Sequence, residues 1–253
     1  MKALDTAGAI DLAVANAAGF KAVGLYLNGN LSPQVAQQAT DLDLGIWSIW
    51  EGSSSDPNGG GAQGRLDAIA ATDIALTIRQ PLGTAIYLPN DQIVTDWNAT
   101  LDYFAAAKSV IMSRGFAPGF YGQTSVWDHL GYRYLFKAPD GTAPTADANI
   151  VQGVEPQQDV GGVTVDVDLI QTPEGFGGWN YSGAWPAPAR PKGTEMIVAR
   201  LMGTQGPCYL IGGVPLRKEA LSVTQLAALC GPGGSGIPIQ DWEAHWLDSI
   251  PSA

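Results

Sequence analysis

Short apolar runs alternate with longer stretches of helical spacing through the first two thirds of the chain. The sharpest run is Leu44-Gly-Ile-Trp-Ser-Ile-Trp50, closed by Glu51 and followed by Gly52-Ser-Ser-Ser-Asp-Pro-Asn-Gly-Gly-Gly61. A near-continuous apolar strand is buried on both faces, as in a parallel sheet. In such sheets the working residues sit where strand gives way to loop, at the carboxyl edge. The same reading places strands at Met1–Asp5, Lys21–Leu27, Gly45–Trp50, Thr84–Leu88, Ala117–Gly122, Tyr132–Phe136, Asn149–Val154 and Val163–Leu169. Helices are predicted over Ala7–Ala18, ended by Gly19, and from the Ser32-Pro33 start to Leu42. A third runs from Ala62 to Gln80, with Leu66, Ile69, Ala70, Ile74, Thr77 and Ile78 as its apolar stripe, and a fourth over Thr95–Arg114. Ser125–Leu130 reads as one or two helical turns, and 138–148 as loop.

Strands alternating with helices predict a parallel sheet, and eight such units predict closure. The expected architecture is therefore α/β, a (β/α)8 TIM-type barrel over residues 1–170 with its last helices shortened or missing. An open doubly wound sheet is the alternative. No Gly-x-Gly-x-x-Gly follows the first strand and no phosphate loop is present, which argues against nucleotide binding. Residues 171–193 shift to Gly, Pro and aromatics and are expected to form a linker arm lying on the barrel. Residues 194–253 read as a small α+β unit, with a hairpin from Met196–Leu201 and Pro207–Ile211 and a helix capped by Ser222 that ends at Gly231.

Charge narrows the function. Lys+Arg 13 against Asp+Glu 24 gives a net charge of -11, so a phosphate backbone is repelled and nucleic acid is not an expected partner. No apolar run reaches the length of a membrane span. The chain enters a strand at once and leaves no room for a signal peptide, which predicts synthesis in the cytoplasm without general secretory export. Cys208 and Cys230 read as two thiols in a small core rather than a disulfide. With His129 and His245 the only histidines, no metal and no cofactor is expected.

The strand assignments put Asp5, Glu51, Asp91, Asp166 and Asp168 at or near strand ends. Glycosidic cleavage needs two carboxyls ~5 to ~9.5 Å apart, one protonated toward the leaving oxygen and one acting at carbon or on water. Trp47 and Trp50, three apart on a strand, face opposite ways. Trp50 is expected at the mouth beside Glu51, with Tyr26, Tyr87 and Tyr121 as further sugar-stacking rings. The Asx turns at Asn28-Gly-Asn30 and Asn90-Asp91 are expected to add polar groups at the same edge. A nucleophilic triad is not supported: there is no Gly-x-Ser-x-Gly elbow, and His129 reads as a structural histidine.

The ordered motifs Ala-Gly-Phe-Lys-Ala-Val-Gly-Leu-Tyr-Leu (18–27), Leu-Gly-Ile-Trp-Ser-Ile-Trp-Glu (44–51), Ala-Ile-Tyr-Leu-Pro-Asn-Asp (85–91), Gly-Phe-Tyr-Gly (119–122), Ile-Val-Gln (150–152) and Val-Asp-Val-Asp (165–168) carry a resemblance. The chain resembles the glycoside-hydrolase-like domain once called domain of unknown function 1906, found in actinobacterial secreted proteins and their phages and distantly similar to family-25 lysozyme-type barrels. The resemblance implies a barrel with an acidic mouth acting on a cell-envelope polysaccharide, peptidoglycan or a linked glycan. Glu51 is then the acid/base, Asp91 or Asp168 its partner and Asp5 an orienting group, with Gln152 and Asp166 in the sugar-binding set. Where the family has Tyr-Phe-Ala-Val-Asp this chain has Tyr-Leu-Pro-Asn-Asp, and Pro89 bears on where Asp91 points. The alternative reading is a non-catalytic carbohydrate-binding phage tail protein, with other virion proteins as partners.

Overall fold

The computed structural model describes residues 1–53, 55–90, 92–139, 146–172, 175–186 and the strands within 196–221. The chain divides into two compact units, Met1–Pro188 and Ala189–Ala253.

In the first unit, eight strands close a ring: β1 (Lys2–Asp5), β2 (Ala22–Tyr26), β3 (Gly45–Ile49), β4 (Ala85–Asn90), β5 (Ala117–Gly122), β6 (Tyr134–Lys137), β7 (Ile150–Val160) and β8 (Val163–Ile170). Strands β1 to β7 run parallel, each beside the next, and the β3–β4 pairing excludes the open sheet. The last strand differs from a (β/α)8 ring: β8 runs antiparallel to both β7 and β1. The cause is local. β7 and β8 are joined by Gly161-Gly162 alone, both at positive φ (66° and 86°), and a two-residue turn of that kind joins only antiparallel strands.

Four longer segments and one short one supply the helices: α1 (Leu12–Ala17), α2 (Pro33–Asp41), α3 (Gly60–Thr77), α4 (Trp97–Ser113) and α5 (Thr124–Trp127). Their starts follow capping chemistry. Asp11 accepts from the Ala13 amide at 2.8 Å, so α1 begins at Leu12 and not at Ala7. Ser32 caps α2 with Pro33 in the first turn, and Asp96 caps α4 through the Ala99 amide.

The strands separate two cores. Leu4, Val23, Leu25, Ile46, Ile86, Leu88 and Phe120 point outward against Leu12, Ala36, Ala68, Phe104 and Ile111 of the helices. Ala3, Ala22, Trp47, Ile49, Ala85, Tyr87, Phe136, Ile150 and Ile170 fill the barrel. The inward face of α3 is not the predicted stripe: Leu66 is 61% exposed, while Gly64, Ala68, Ala71 and Ala75 are buried. Small residues are required there because α4 lies so close that a Cβ on Gly64 would sit 2.1 Å from the Tyr103 carbonyl oxygen. Shape, not apolarity, selects this face.

The arm after β8 belongs to the first unit through Pro188. Phe176 enters the barrel floor, edge-on to Trp47 with centroids 6.2 Å apart, and its carbonyl accepts the Tyr87 hydroxyl at 2.5 Å. The short strand β9 (Trp179–Asn180) pairs with β3 at Ile46, and the Ala85 amide donates to the Gly177 carbonyl. Trp179 Nε1 donates to the buried Ser48 hydroxyl, which donates to Gln80. A further two-residue strand, β10 (Gly183–Ala184), pairs back on β9.

The second unit contains β11 (Met196–Ala199), β12 (Cys208–Gly212) and β13 (Arg217–Leu221) in an antiparallel sheet of that order. The third of these was not expected from the sequence, which predicts only the hairpin. The helix expected after Ser222, the state of Cys208 and Cys230, and His245 lie outside the described residues.

Because Phe176 has no exposed surface and plugs the floor, Phe176→Ala is expected to cost about 3–5 kcal/mol in urea unfolding. A loss below about 1 kcal/mol would show that the arm is not part of the barrel core.

Candidate active site

The mouth is the carboxyl end of β1 to β7. Asp5 ends β1 two residues after the inward Ala3, so it faces the barrel interior. On β8, Val165 and Val167 belong to the outer core, which turns Asp166 and Asp168 inward. The antiparallel register sets Asp5 opposite Asp166 and Ala3 opposite Asp168. Three carboxyls therefore share one seam of the barrel.

Gln152, inward on β7, organises them. Its Nε2 donates to Asp5 Oδ2 at 3.0 Å and to Asp166 Oδ2 at 3.5 Å, while its Oε1 accepts the Tyr121 hydroxyl at 2.8 Å. Tyr121 is held flat on Phe136, ring centroids 4.4 Å apart. Gln157 Nε2 donates to Asp166 Oδ1 at 2.8 Å, and the Gly153 amide to Asp168 Oδ1 at 3.3 Å. Asp168 Oδ2 is buried and receives no donor. Asp168 is hydrogen-bonded to Asp5, and two carboxylates cannot bond each other, so the contact requires a shared proton.

The electrostatics agree. Burial pushes Asp168 well above the carboxylate range, and the charge of Asp5 and their hydrogen bond push it the same way. Burial also raises Asp5. The hydrogen bonds from Asp168 and Gln152 oppose the rise, the charges of Asp166 and Glu51 add to it, and the outcome is about 7. Tyr26, at the end of β2, is raised by burial and then by the charges of Asp5, Glu51, Asp166 and Asp168. One phenol thus feels the charge of all four acids.

Two turns fix the rim. Asn30 accepts the Tyr26 amide at 2.8 Å and donates to the carbonyls of Thr6 and Gly8, tying the β2 turn to the loop after Asp5. Asn28 Nδ2 donates to the Glu51 carbonyl at 2.5 Å. These side chains clamp backbone; they are not the free polar groups that the turn suggested.

Of the residues singled out by sequence, Asp5, Asp166, Asp168, Gln152 and Tyr121 are brought together by hydrogen bonds, with Tyr26 and Glu51 at the same mouth. Trp50 is not there. Trp47 and Ile49 point into the barrel, so Trp50 points out, into the packing between strands and helices. Tyr87 is completely buried at barrel level, spent on the Phe176 carbonyl. Asp91 lies outside the described residues. Sequence reasoning missed Gln157; the Val160-Gly-Gly-Val163 hairpin signal, which sets β7 beside β8, could have found it. Among the described residues no group of three or more His, Cys, Asp or Glu could hold a metal ion, and no helix is long and apolar enough to cross a membrane.

Residues 13–170, more than half the chain, match the Rv2525c-like, glycoside hydrolase-like domain. The chain belongs to that family. The crystal structure of the Mycobacterium tuberculosis Tat-secreted protein Rv2525c in complex with L-tartrate is similar, at 25% identity over 70% of this chain and 98% of that one, with a TM-score of 0.62. The fold is also similar to the spore cortex lytic enzyme SleM of Clostridium perfringens, 8% identical over 83% of this chain and 75% of that one (TM-score 0.52). The catalytic domain of endolysin ply40 from Listeria monocytogenes bacteriophage P40 is 13% identical over 68% and 93% of the two chains (TM-score 0.50). Among curated protein sequences none matches the chain. The family thus has a glycoside-hydrolase-like barrel, shared with cell-wall lytic enzymes.

The buried acid has a thermodynamic signature. Asp5 binds its proton more tightly folded, at about 7, than the ordinary 3.8 expected unfolded. Its contribution to stability is therefore full at low pH and is lost as pH rises through about 7. Asp5→Asn, which keeps the neutral shape, is expected to gain stability over the wild type between about pH 4 and pH 7 and to hold that gain above. Thermal melts that stay parallel across this window would refute the buried-acid assignment.

Proposed function

We propose that the mouth cleaves a glycosidic bond of a bacterial cell-envelope polysaccharide, with Asp5 as the proton donor and Glu51 as the second carboxyl. The observation that carries the reading is the proton-sharing Asp5–Asp168 pair at the polar seam, next to Asp166 and Glu51. A carboxyl that keeps its proton to about 7 is suited to protonate a leaving oxygen at neutral pH. In the step, Asp5 gives its proton to the glycosidic oxygen as the bond to the anomeric carbon breaks. Glu51 supports the oxocarbenium-like carbon and the water that completes hydrolysis. Asp168, re-donating to the ionised Asp5, stabilises the charge left behind.

This exchanges the roles that the sequence suggested, where Glu51 was acid/base and Asp5 an orienting group. Burial is the reason: Asp5 is 3% exposed and Glu51 is half-buried at the rim. The envelope as location is supported by Rv2525c, the 25% identical relative, being Tat-secreted.

A second reading is a docking barrel that binds the same polysaccharide without cleaving it, whether within a secreted wall protein or a phage virion. The complete burial of Asp168 and near-complete burial of Asp5 favour it. Release of reducing sugar from purified actinobacterial cell wall decides between the two. The hydrolase reading expects release that falls as pH rises above about 7, and a loss of about 10²-fold or more in Asp5→Asn and in Glu51→Gln. Wall binding in a pull-down with no sugar released by the wild type would discard cleavage and leave docking.

A further inference from the structure

The amide of Gln152 ties three other strands together. Gln152 follows the inward Ile150 by two positions on β7 and so points into the barrel. Two strands away on β5, Tyr121 lies flat on Phe136 of the intervening β6 and reaches across it. Its hydroxyl gives the 2.8 Å bond to Gln152 Oε1, while Nε2 donates to Asp5 on β1 at 3.0 Å and to Asp166 on β8 at 3.5 Å. Gln152 is 9% exposed and Tyr121 7%. Both N–H groups and the carbonyl of this amide are thus engaged inside the protein, which is how a supporting side chain is bonded, not one that waits for a sugar.

An amide has a donor end and an acceptor end, and the neighbours decide which goes where. Turned round, Oε1 would meet the carboxyl oxygens of Asp5 and Asp166, and the charge that Asp166 carries opposes such a contact. Tyr121 anchors the Oε1 end, so the donor end stays on the acids. A donor held against a carboxyl favours its ionised form. The titratable groups around Asp5 are Asp166 and Asp168 from β8, Glu51 beyond β3 and Tyr26 on β2. Burial and the charges of Asp166 and Glu51 keep the proton on Asp5; the bonds from Asp168 and Gln152 act the other way. Burial alone would trap the proton, and a trapped proton serves no acid catalyst.

We propose that Gln152 is a positioning residue for Asp5 and that Tyr121 anchors it, the pair holding an N–H donor against Asp5 Oδ2 as the proton leaves. The inference rests on the proposed role of Asp5 as proton donor, but the coupling from Tyr121 through Gln152 to Asp5 can be tested apart from that role.

Carbon-detected NMR of the full chain from about pH 4 to about pH 10 follows the Asp5 side-chain carboxyl, assigned by its loss in Asp5→Asn. The wild-type midpoint is expected at about 7. Gln152→Met keeps the bulk and loses the donor, and should raise the midpoint by about one unit, a tenfold tighter proton. Tyr121→Phe keeps the stack on Phe136 and loses the anchor, and should raise it by about half a unit, or about threefold. Tyr132→Phe, which removes a tyrosine bond to the Phe104 carbonyl in the outer layer, should leave it in place. Where cell wall is cleaved, the upper pH limit of kcat should move with the midpoint while KM holds. A midpoint unmoved in both variants, with melting curves showing them folded, would overturn the proposal. Weaker wall binding without a shift would overturn it too, by making both residues sugar contacts. A shift in Gln152→Met alone would remove Tyr121 from the role. If the midpoints shift as expected and the wild type releases no sugar, cleavage is discarded and the coupling stands.

Discussion

Two carboxyl groups inside a barrel cannot both be charged while they touch, and the Asp5–Asp168 contact therefore fixes the proton content of the mouth. What makes the contact unavoidable is the direction of β8. A parallel eighth strand would need a crossover and would bring its own carboxyl end to the mouth. The antiparallel strand runs down from the mouth, so it delivers Asp166 and Asp168 along its length to the flank of β1. One hairpin turn thus decides both how the barrel closes and which acids meet.

The opposite end is built to keep that seam dry. Phe176 closes the floor against Trp47, Tyr87 is locked onto the Phe176 carbonyl, and Phe136 backs the ring of Tyr121. Polar inward groups begin above this aromatic stack. The raised Asp5 follows from the arrangement: burial disfavours its charged form, and the charges of Asp166 and Glu51 add to the rise. The arm thus backs the site from below, although none of its described residues is placed at the mouth and it lies beyond the matched residues 13–170.

Much of this was legible in the sequence. Apolar runs and capping residues such as Ser32-Pro33 located the strands and most helices, because both signals are local. The five strand-end acids could be named for the same reason, and four of them meet at one mouth. What was not legible depended on parity and register. Once Trp47 points inward, Trp50 must point outward, but nothing local to the strand says which of the two goes in. That Asp5 lies beside Asp168 depends on a pairing between the first and last strands, 163 positions apart in numbering. The buried face of α3 was misread because helix–helix approach at Gly64 rewards small side chains over apolar ones. The proposed exchange of roles between Asp5 and Glu51 has the same origin, since burial differences are tertiary facts.

The asymmetry of the mouth bears on what kind of ligand it suits. Asp5, Asp166 and Asp168, with Gln152 and Gln157, crowd the β7–β8–β1 seam. A small anion would meet carboxyls at this seam. A metal ion lacks a ligand set among the described residues. An extended neutral chain can place a bond at the acids and run on over the rim. In a barrel whose interior is filled and whose floor is sealed, such a ligand lies across the mouth and does not thread it. On the proposed assignment of Asp5 as proton donor, its burial requires such a chain to be drawn down onto the seam for chemistry to occur.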